Sequence, residues 1–440
     1  MNRDVKKAAT WLWCLGGLGA AVPVFAEGPH RIYLYKGDQI EMQVSKIEGG
    51  NIIGSVGSSL ITIPLSDAAA IELETRLIPP SPGSKETLAA VHVAGGDILV
   101  GSLESFSNEK LVIGFQNQSV NLSKSLVRGI KFLGPAVNAA LPALEKRFEG
   151  KEVVKLATST IPAKIVKMTS SEMALRDQFS DQDNTLSYRD AEGRLKVDAV
   201  YFTAGMKPPA GVVDCRIKGV DGATVIQGQL LGMNESVLQI KTMFAERMAL
   251  KLSSIAELWF LGGNALYLSD LSPVRVMETS PWGKEEDPWV LIWRYKNDLN
   301  CRKMPILLGG KTYKRGLGVH SKCELSFTIP EGFTSFECVL GIDDRVGVKA
   351  KDTPAFAVSD VRILVDGAVL FEKRVVGSEA PLPVNVALKG GKTMTLVADY
   401  GPPAKVKLDE KGQDVPAGKE QELPLDFGDW VNFAEARFSK

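Results

Sequence analysis

Four of the seven tryptophans, Trp282, Trp289, Trp293 and Trp430, lie beyond residue 280. A pyranose shows a patch of C–H bonds on one face and hydroxyls around its rim. Holding one takes an aromatic plane and fixed polar groups. Trp282, Trp289 and Trp293 are candidate planes, each with core or lid packing as its other reading. Trp282 stands between Pro281 and Gly283 and reads as exposed, whereas Trp293 alternates with Leu291 and Tyr295 and reads as core. His320, one of three histidines, follows Gly318-Val319 at a strand edge. It could donate a hydrogen bond to a sugar hydroxyl or bridge two loops. Asp343-Asp344 ends a strand. Adjacent carboxylates there can ligate calcium, accept from sugar hydroxyls, or cap a turn. Asp429 could support the same rim, with Arg315 and Arg437 as structural partners of these acids.

Other chemistries find no support. There is no G-x-S-x-G, HExxH or P-loop, and Gly316-Leu317-Gly318 has no βαβ context. Asp343 and Asp344 are neighbours whose side chains diverge, unlike a carboxylate pair flanking a glycosidic bond. No enzyme activity is expected. The five cysteines form no CxxC or Cys/His cluster, so no zinc site is expected. Cys323 and Cys338 flank a hairpin and read as core thiols, with a disulfide as the alternative. Fifty-two basic residues balance 52 acidic ones, which leaves no positive surface to attract nucleic acid or an anionic membrane. No cofactor is implied beyond calcium at Asp343 and Asp344.

The elements that must carry these residues fall into a series. Residues 1–26 have a basic start at Arg3, Lys6 and Lys7, an apolar stretch from Ala8 to Ala21, and Val24-Phe25-Ala26 before a cut. That is the pattern of a secretory signal peptide. No later run is apolar enough to span a membrane, so the mature chain is expected to be soluble.

Two units, 27–76 and 89–134, then repeat one another, residues 32–73 matching 91–132 at a constant offset without a gap. Ile32 matches Val91, Gly37-Asp38 matches Gly96-Asp97, and Ile71 matches Ile130. A further copy covers 211–263, where Leu258-Trp259-Phe260-Leu261 resembles Ile130-Lys131-Phe132-Leu133. A divergent copy covers 152–204, widened by the polar segment Asp177–Asn184. Each copy reads as bent antiparallel β: a short strand, a Gly-Asp-type turn, an Ile-x-Gly-x-Leu strand, then further alternating strands. Such a unit could close as a small Sm-like or SH3-like barrel, or pair with its neighbour into a sandwich. The linker 135–151 is rich in Ala, Leu and Glu and reads as the chain's one helix.

From Tyr267 onward the strands lengthen, and Cys323-Leu325-Phe327, Phe336-Cys338-Leu340 and Val361-Ile363-Val365 alternate. About eight such strands make an all-β sandwich. Within it lie, in order, Tyr267-Leu268-Ser269-Asp270-Leu271, Leu308-Gly309-Gly310-Lys311-Thr312-Tyr313, Arg315-Gly316-Leu317-Gly318-Val319-His320-Ser321, Val339-Leu340-Gly341-Ile342-Asp343-Asp344, Val365-Asp366-Gly367 and Gly428-Asp429-Trp430. This ordered set resembles the NPCBM family, the novel putative carbohydrate-binding module, over residues 265–440.

The resemblance implies a galactose-binding-like jelly roll that binds glycans, typically galactose-containing ones. Asn432 and Phe433 stand where the family usually has Asp and Trp, and Cys301 replaces a small polar residue or Gly. The segment 401–424 is longer than usual. The expected architecture is all-β: tandem small barrel-like repeats followed by the jelly roll. The expected sugar site is Trp282, Trp289, Tyr313, His320, Asp343, Asp344 and Trp430.

Two classes of function follow. One is an exported, non-catalytic binder of an extracellular or envelope glycan, alone or as an accessory of a secreted glycoside hydrolase system, with the repeats as spacer or interaction surface. The other is a structural or assembly protein of the bacterial cell envelope that self-associates through its repeats.

Overall fold

A computed structural model describes residues 29–440 apart from 36–38, 74–86, 108, 134–143, 149, 178–181, 204–212, 284–287, 347–356, 378, 404, 409–418, 423–425 and 427. The signal-peptide pattern therefore lies outside the described residues. So does most of the expected helical linker, whose described part holds a single 3-10 turn, Lys146–Phe148.

The N-terminal strands fall into four groups of five. The first group is His30–Leu34, Gln39–Glu48, Asn51–Val56, Ser59–Pro64 and Ala68–Glu72. The second runs from Leu88–Val93 to Val127–Phe132, the third from Val153–Leu156 to Val197–Tyr201, and the fourth from Cys215–Gly219 to Ile255–Phe260. In every group the first four strands form an antiparallel meander, and the fifth returns to pair with the first.

The second strand of each group bends at a bulge: at Val44/Lys46, Leu103/Ser105, Ile165/Lys167 and Leu230/Gly232. One extra residue at the same place in each copy sharpens the twist, which curls a short sheet over its own apolar face. The glycine expected before the bulge is present in the second and fourth groups only, with Met42 and Ala163 in its place in the other two, and where it occurs it has a steric cause. A Cβ on Gly101 would sit 2.2 Å from the Gly114 carbonyl oxygen, and one on Gly228 would sit 2.3 Å from that of Lys241.

The groups join through their fifth strands, which pair antiparallel. Ile71 of the first faces Leu258 of the fourth, and Ile130 of the second faces Val200 of the third. The unit is thus both curled on itself and paired with a partner. One buried apolar cluster contains Ile32, Val91, Val154 and Ile217, so all four groups share a core. A fully buried Leu or Ile contributes on the order of 1.5–3 kcal/mol to holding it together.

The C-terminal third is a two-layer sandwich, as the alternating strands predict. One sheet is six-stranded and is organised around Trp430–Ser439, which pairs with Gly316–His320, Ser335–Ile342 and Ala265–Tyr267. The other is five-stranded: Arg275–Glu278, Cys323–Thr328, Thr393–Tyr400, Val358–Val365 and Ala368–Val376. Phe327, Phe336, Ile363, Leu396 and Phe438 fill the space between them. Cys323 and Cys338 are free thiols in this core, and burial pushes both well up from the ordinary thiol range.

Two expectations are corrected here. The Leu291/Trp293/Tyr295 alternation does not make Trp293 a core residue: it is half-buried at the end of a short helix, Pro288–Trp293, opened by a proline at a position where its missing N–H costs nothing. Leu291 is therefore exposed. Arg315 is not a partner of Asp343, Asp344 or Asp429. It is fully buried, forms ion pairs with Asp270 and Asp298, and lies over the rings of Trp259 and Tyr267 at 4.9 and 4.8 Å. Asp270 also takes Arg216 of the fourth group at 2.7 Å, so this network seams the sandwich to the repeats. Arg437 likewise pairs with Glu337 at 2.7 Å.

Candidate functional site

Strand pairing sets the first two members of the site. His320 ends Gly316–His320 and stands opposite Trp430, the first residue of Trp430–Ser439. The helix Pro288–Trp293 brings a third ring. Trp293 stacks on His320 with centroids 4.5 Å apart and planes at 24°, and lies 6.1 Å from Trp430. The Arg302 guanidinium covers both indoles, at 4.9 Å from Trp293 and 5.9 Å from Trp430. An arginine over indole faces gains from the ring quadrupole while its rim N–H groups stay free to donate.

A buried carboxylate holds the arginine loop in place. Asp343 is fully buried, and its Oδ2 accepts from Asn300 Nδ2 at 3.1 Å and Asn432 Nδ2 at 3.0 Å. Its Oδ1 accepts from Arg345 at 2.9 Å. Asn300 Oδ1 in turn accepts from the backbone N–H groups of Arg302 and Met304, at 3.0 Å each, which fixes the turn that carries Arg302. Gly318 makes room for that turn: a Cβ there would sit 2.4 Å from the Asn300 Cα. The asparagine at 432 suits this network, since an aspartate would set a second carboxylate against Asp343. Phe433 is buried core, so the ring exchanged at that position faces the sandwich interior.

His320 is buried, and its Nδ1 lies 2.9 Å from the Ser321 carbonyl. The carbonyl can only accept, so Nδ1 carries the proton and Nε2 is left as an acceptor. Burial lowers the His320 pKa, against the Ser321 bond and the charge of Asp426, which raise it. The expected donor is thus a neutral ring that supports Trp293 from behind. Burial also drives the nearby Asp429 carboxyl up to about 8.

The remaining expected residues are dispersed. Trp282 is 69% exposed. The backbone N–H of Thr279 donates to Lys322 O, so the turn bearing Trp282 leaves the sandwich beside the His320 segment. Trp289 lies in the helix, with its side chain outside the described residues. Asp344 caps a turn, accepting from Gly309 N at 2.9 Å and Gly310 N at 2.6 Å. The two aspartates thus face separate sets of donors, and no group of three or more His, Cys, Asp or Glu able to hold a metal occurs among the described residues. Tyr313 is buried apart from Trp293 and Trp430, in a cleft between the sandwich and the repeats that Trp259 also lines, with Lys311 Nζ 4.8 Å above its ring. Sequence reasoning missed Arg302, because nothing local ties a loop arginine to two distant indoles.

Residues 265–409 match the NPCBM/NEW2 domain family. The C-terminal third of this chain is an NPCBM domain. A stretch of 93 residues is 34% identical to a putative endo-alpha-N-acetylgalactosaminidase of Renibacterium salmoninarum, covering 21% of this chain and 6% of that protein. The chain thus spans only a small part of that relative. Among solved structures, the CBM51 module of a Clostridium perfringens GH95 protein, in complex with methyl-galactose, is 18% identical over 40% of this chain and 99% of the module, with a TM-score of 0.27. The tandem CBM51 modules of a family 98 glycoside hydrolase from Streptococcus pneumoniae are 10% identical over 93% of this chain and 87% of that one, with a TM-score of 0.28. The NPCBM domain is a carbohydrate-binding module by family, and no helix among the described residues is long and apolar enough to cross a membrane.

Proposed function

We propose that this protein is exported and non-catalytic, and that its NPCBM domain binds a galactose-containing glycan at the sandwich end formed by Trp282, Trp293, Trp430 and Arg302. The observation that carries the reading is the Trp293–Trp430 pair under Arg302, backed by His320. Trp293, stacked between His320 and Arg302, holds the guanidinium so that its rim supplies donors for a sugar's hydroxyls, and the half-buried Trp430 indole supplies a plane for its C–H patch. Trp282, exposed on the turn that leaves the sandwich beside the His320 segment, offers a further indole to a longer glycan. Asp343 acts through Asn300 as a positioning residue for Arg302, and calcium has no part in this site.

Export rests on the basic, apolar and small-residue pattern of residues 1–26. The stretch shared with a putative endo-alpha-N-acetylgalactosaminidase favours a role beside glycoside hydrolases, attaching to the glycan on which they act.

The test is a glycan array on the full chain, followed by calorimetry of the best sugar with wild type, Trp282→Ala and Arg302→Ala. Selective binding weakened by both substitutions supports the reading. A blank array from a cooperatively folded chain overturns it in favour of a structural protein of the envelope.

A further inference from the structure

A cavity of about 560 Å³ lies between the NPCBM domain and the first and fourth repeat groups. That falls within the ~300–1,000 Å³ of small-molecule sites. Its walls combine the rings of Tyr33 and Tyr313 with Glu435, Asn385, Lys311 and Arg437.

The strand Trp430–Ser439 is built to aim Glu435 there. Val431, Phe433, Ala436 and Phe438 are the core residues of this strand, so the spacing stretches from two to three between Phe433 and Ala436. The stretch is a bulge, with the register shifting opposite Glu337/Val339. Glu435 occupies it with φ +54°, a left-handed conformation that glutamate seldom adopts. The bulge turns Glu435 and Arg437 out of the sandwich on the same side. Glu435 Oε2 accepts from Tyr267 Oη at 2.9 Å, and burial raises its pKa.

Charge is balanced around this cavity. Lys314 lies between Glu257 at 2.7 Å and Glu72 at 3.0 Å, and Arg437 is paired with Glu337 at 2.7 Å. A wall whose charges already neutralise one another gives an ionic ligand little net field, but it offers paired donors and acceptors beside two rings. That chemistry suits a neutral, polyhydroxylated ring.

We propose that this interdomain cleft is a second carbohydrate subsite, taking an uncharged hexose or N-acetylhexosamine unit. Tyr33 and Tyr313 stand in its walls, each with a lysine ammonium over its ring, Glu435 accepts from ring hydroxyls, and Lys311 and Asn385 donate to them. The inference rests on the glycan reading above and adds to it a site that exists only when repeats and NPCBM domain are joined.

The test is calorimetry of the full chain with methyl galactoside, N-acetylgalactosamine, N-acetylglucosamine and glucuronate. It uses wild type, Lys311→Ala, Glu435→Gln and the end-site variant Arg302→Ala, with thermal melts confirming folding. The expected result is two sugars per chain for at least one neutral ligand. Lys311→Ala and Glu435→Gln should each weaken one site by ~10-fold, the cost of a charged hydrogen bond, and leave the other intact. Arg302→Ala should do the reverse. One site per chain, insensitive to both cleft substitutions, overturns this inference and leaves the end site standing. Glucuronate preferred over every neutral sugar at the cleft overturns the assignment of ligand class. Binding by none of the four ligands overturns both sites together.

Discussion

Trp293 stacks on His320 with its centroid 4.5 Å away, although the two residues come from a helix and a strand that share no hydrogen-bond ladder. Burial holds the His320 pKa below its ordinary value, so the folded state resists a proton that the unfolded chain accepts. The stability this gives is complete above the unfolded pKa of about 6.5 and is lost as pH falls from there toward the folded pKa. His92 is the sharper case, with burial and the Lys131 charge lowering it to about 4. Proton NMR of the three histidines should show His92 titrating near 4 and His320 below 6.5. A His92 signal that titrates at its ordinary value would contradict its burial beside Lys131.

Arg315 should be irreplaceable. Arg315→Met removes a buried guanidinium from between Asp270 and Asp298 and leaves Asp270 with Arg216 alone. The expected loss is about 3 kcal/mol in denaturant unfolding. Arg315→Lys should recover little of it, because an ammonium cannot lie flat between Trp259 and Tyr267 while reaching both acids.

Asp343→Asn should cost stability and binding together. An amide can keep its oxygen toward Asn300 and Asn432, but it then turns N–H groups toward the Arg345 guanidinium and backbone N–H, both of which donate to this position. A loss of about 2–4 kcal/mol is expected in chemical denaturation. Sugar affinity should fall as well, because a neutral amide oxygen holds Asn300, and through it the Arg302 turn, less tightly than the carboxylate does. Trp282→Ala, by contrast, should move stability by no more than ~0.5 kcal/mol, since the indole is exposed.

Gly101→Ala and Gly228→Ala should be equivalent lesions. Each forces a methyl against a carbonyl oxygen of the neighbouring strand, at 2.2 and 2.3 Å. Thermal melts should report a loss of ~1–3 kcal/mol for each. A substantial loss at one position with none at the other would contradict the shared geometry of the second and fourth groups.

The repeats were legible because Ile71 and Ile130 sit at matching places in copies of constant spacing. Their partners were not. Any fifth strand has the backbone to pair with any other, and only tertiary packing decides that Ile71 meets Leu258 and Ile130 meets Val200. The sandwich showed itself through period-two alternation in strands such as Cys323–Thr328. The same alternation misled at Leu291, Trp293 and Tyr295, where Pro288 starts a helix and chemistry at the helix start outweighs a short pattern. Asp343-Asp344 looked like an exposed rim pair. Burial could not be read from the dipeptide, since its cause is the distant pair Asn300 and Asn432. Arg302 and Glu435 were invisible for a related reason: one depends on a loop path, the other on a single bulged residue.

The fifth-strand pairs also set an order of assembly. The second and third groups are neighbours in sequence and can dock as soon as both have been made. The first group must hold the edge containing Ile71 open until Leu258, in the last group, has been synthesised. The pairing is nested like brackets, with the inner pair closing before the outer. Closing so distant an edge is slow and leaves a sticky strand uncovered in the meantime. Truncation before residue 255 would strand that edge permanently, so shortened chains should aggregate where the full chain does not.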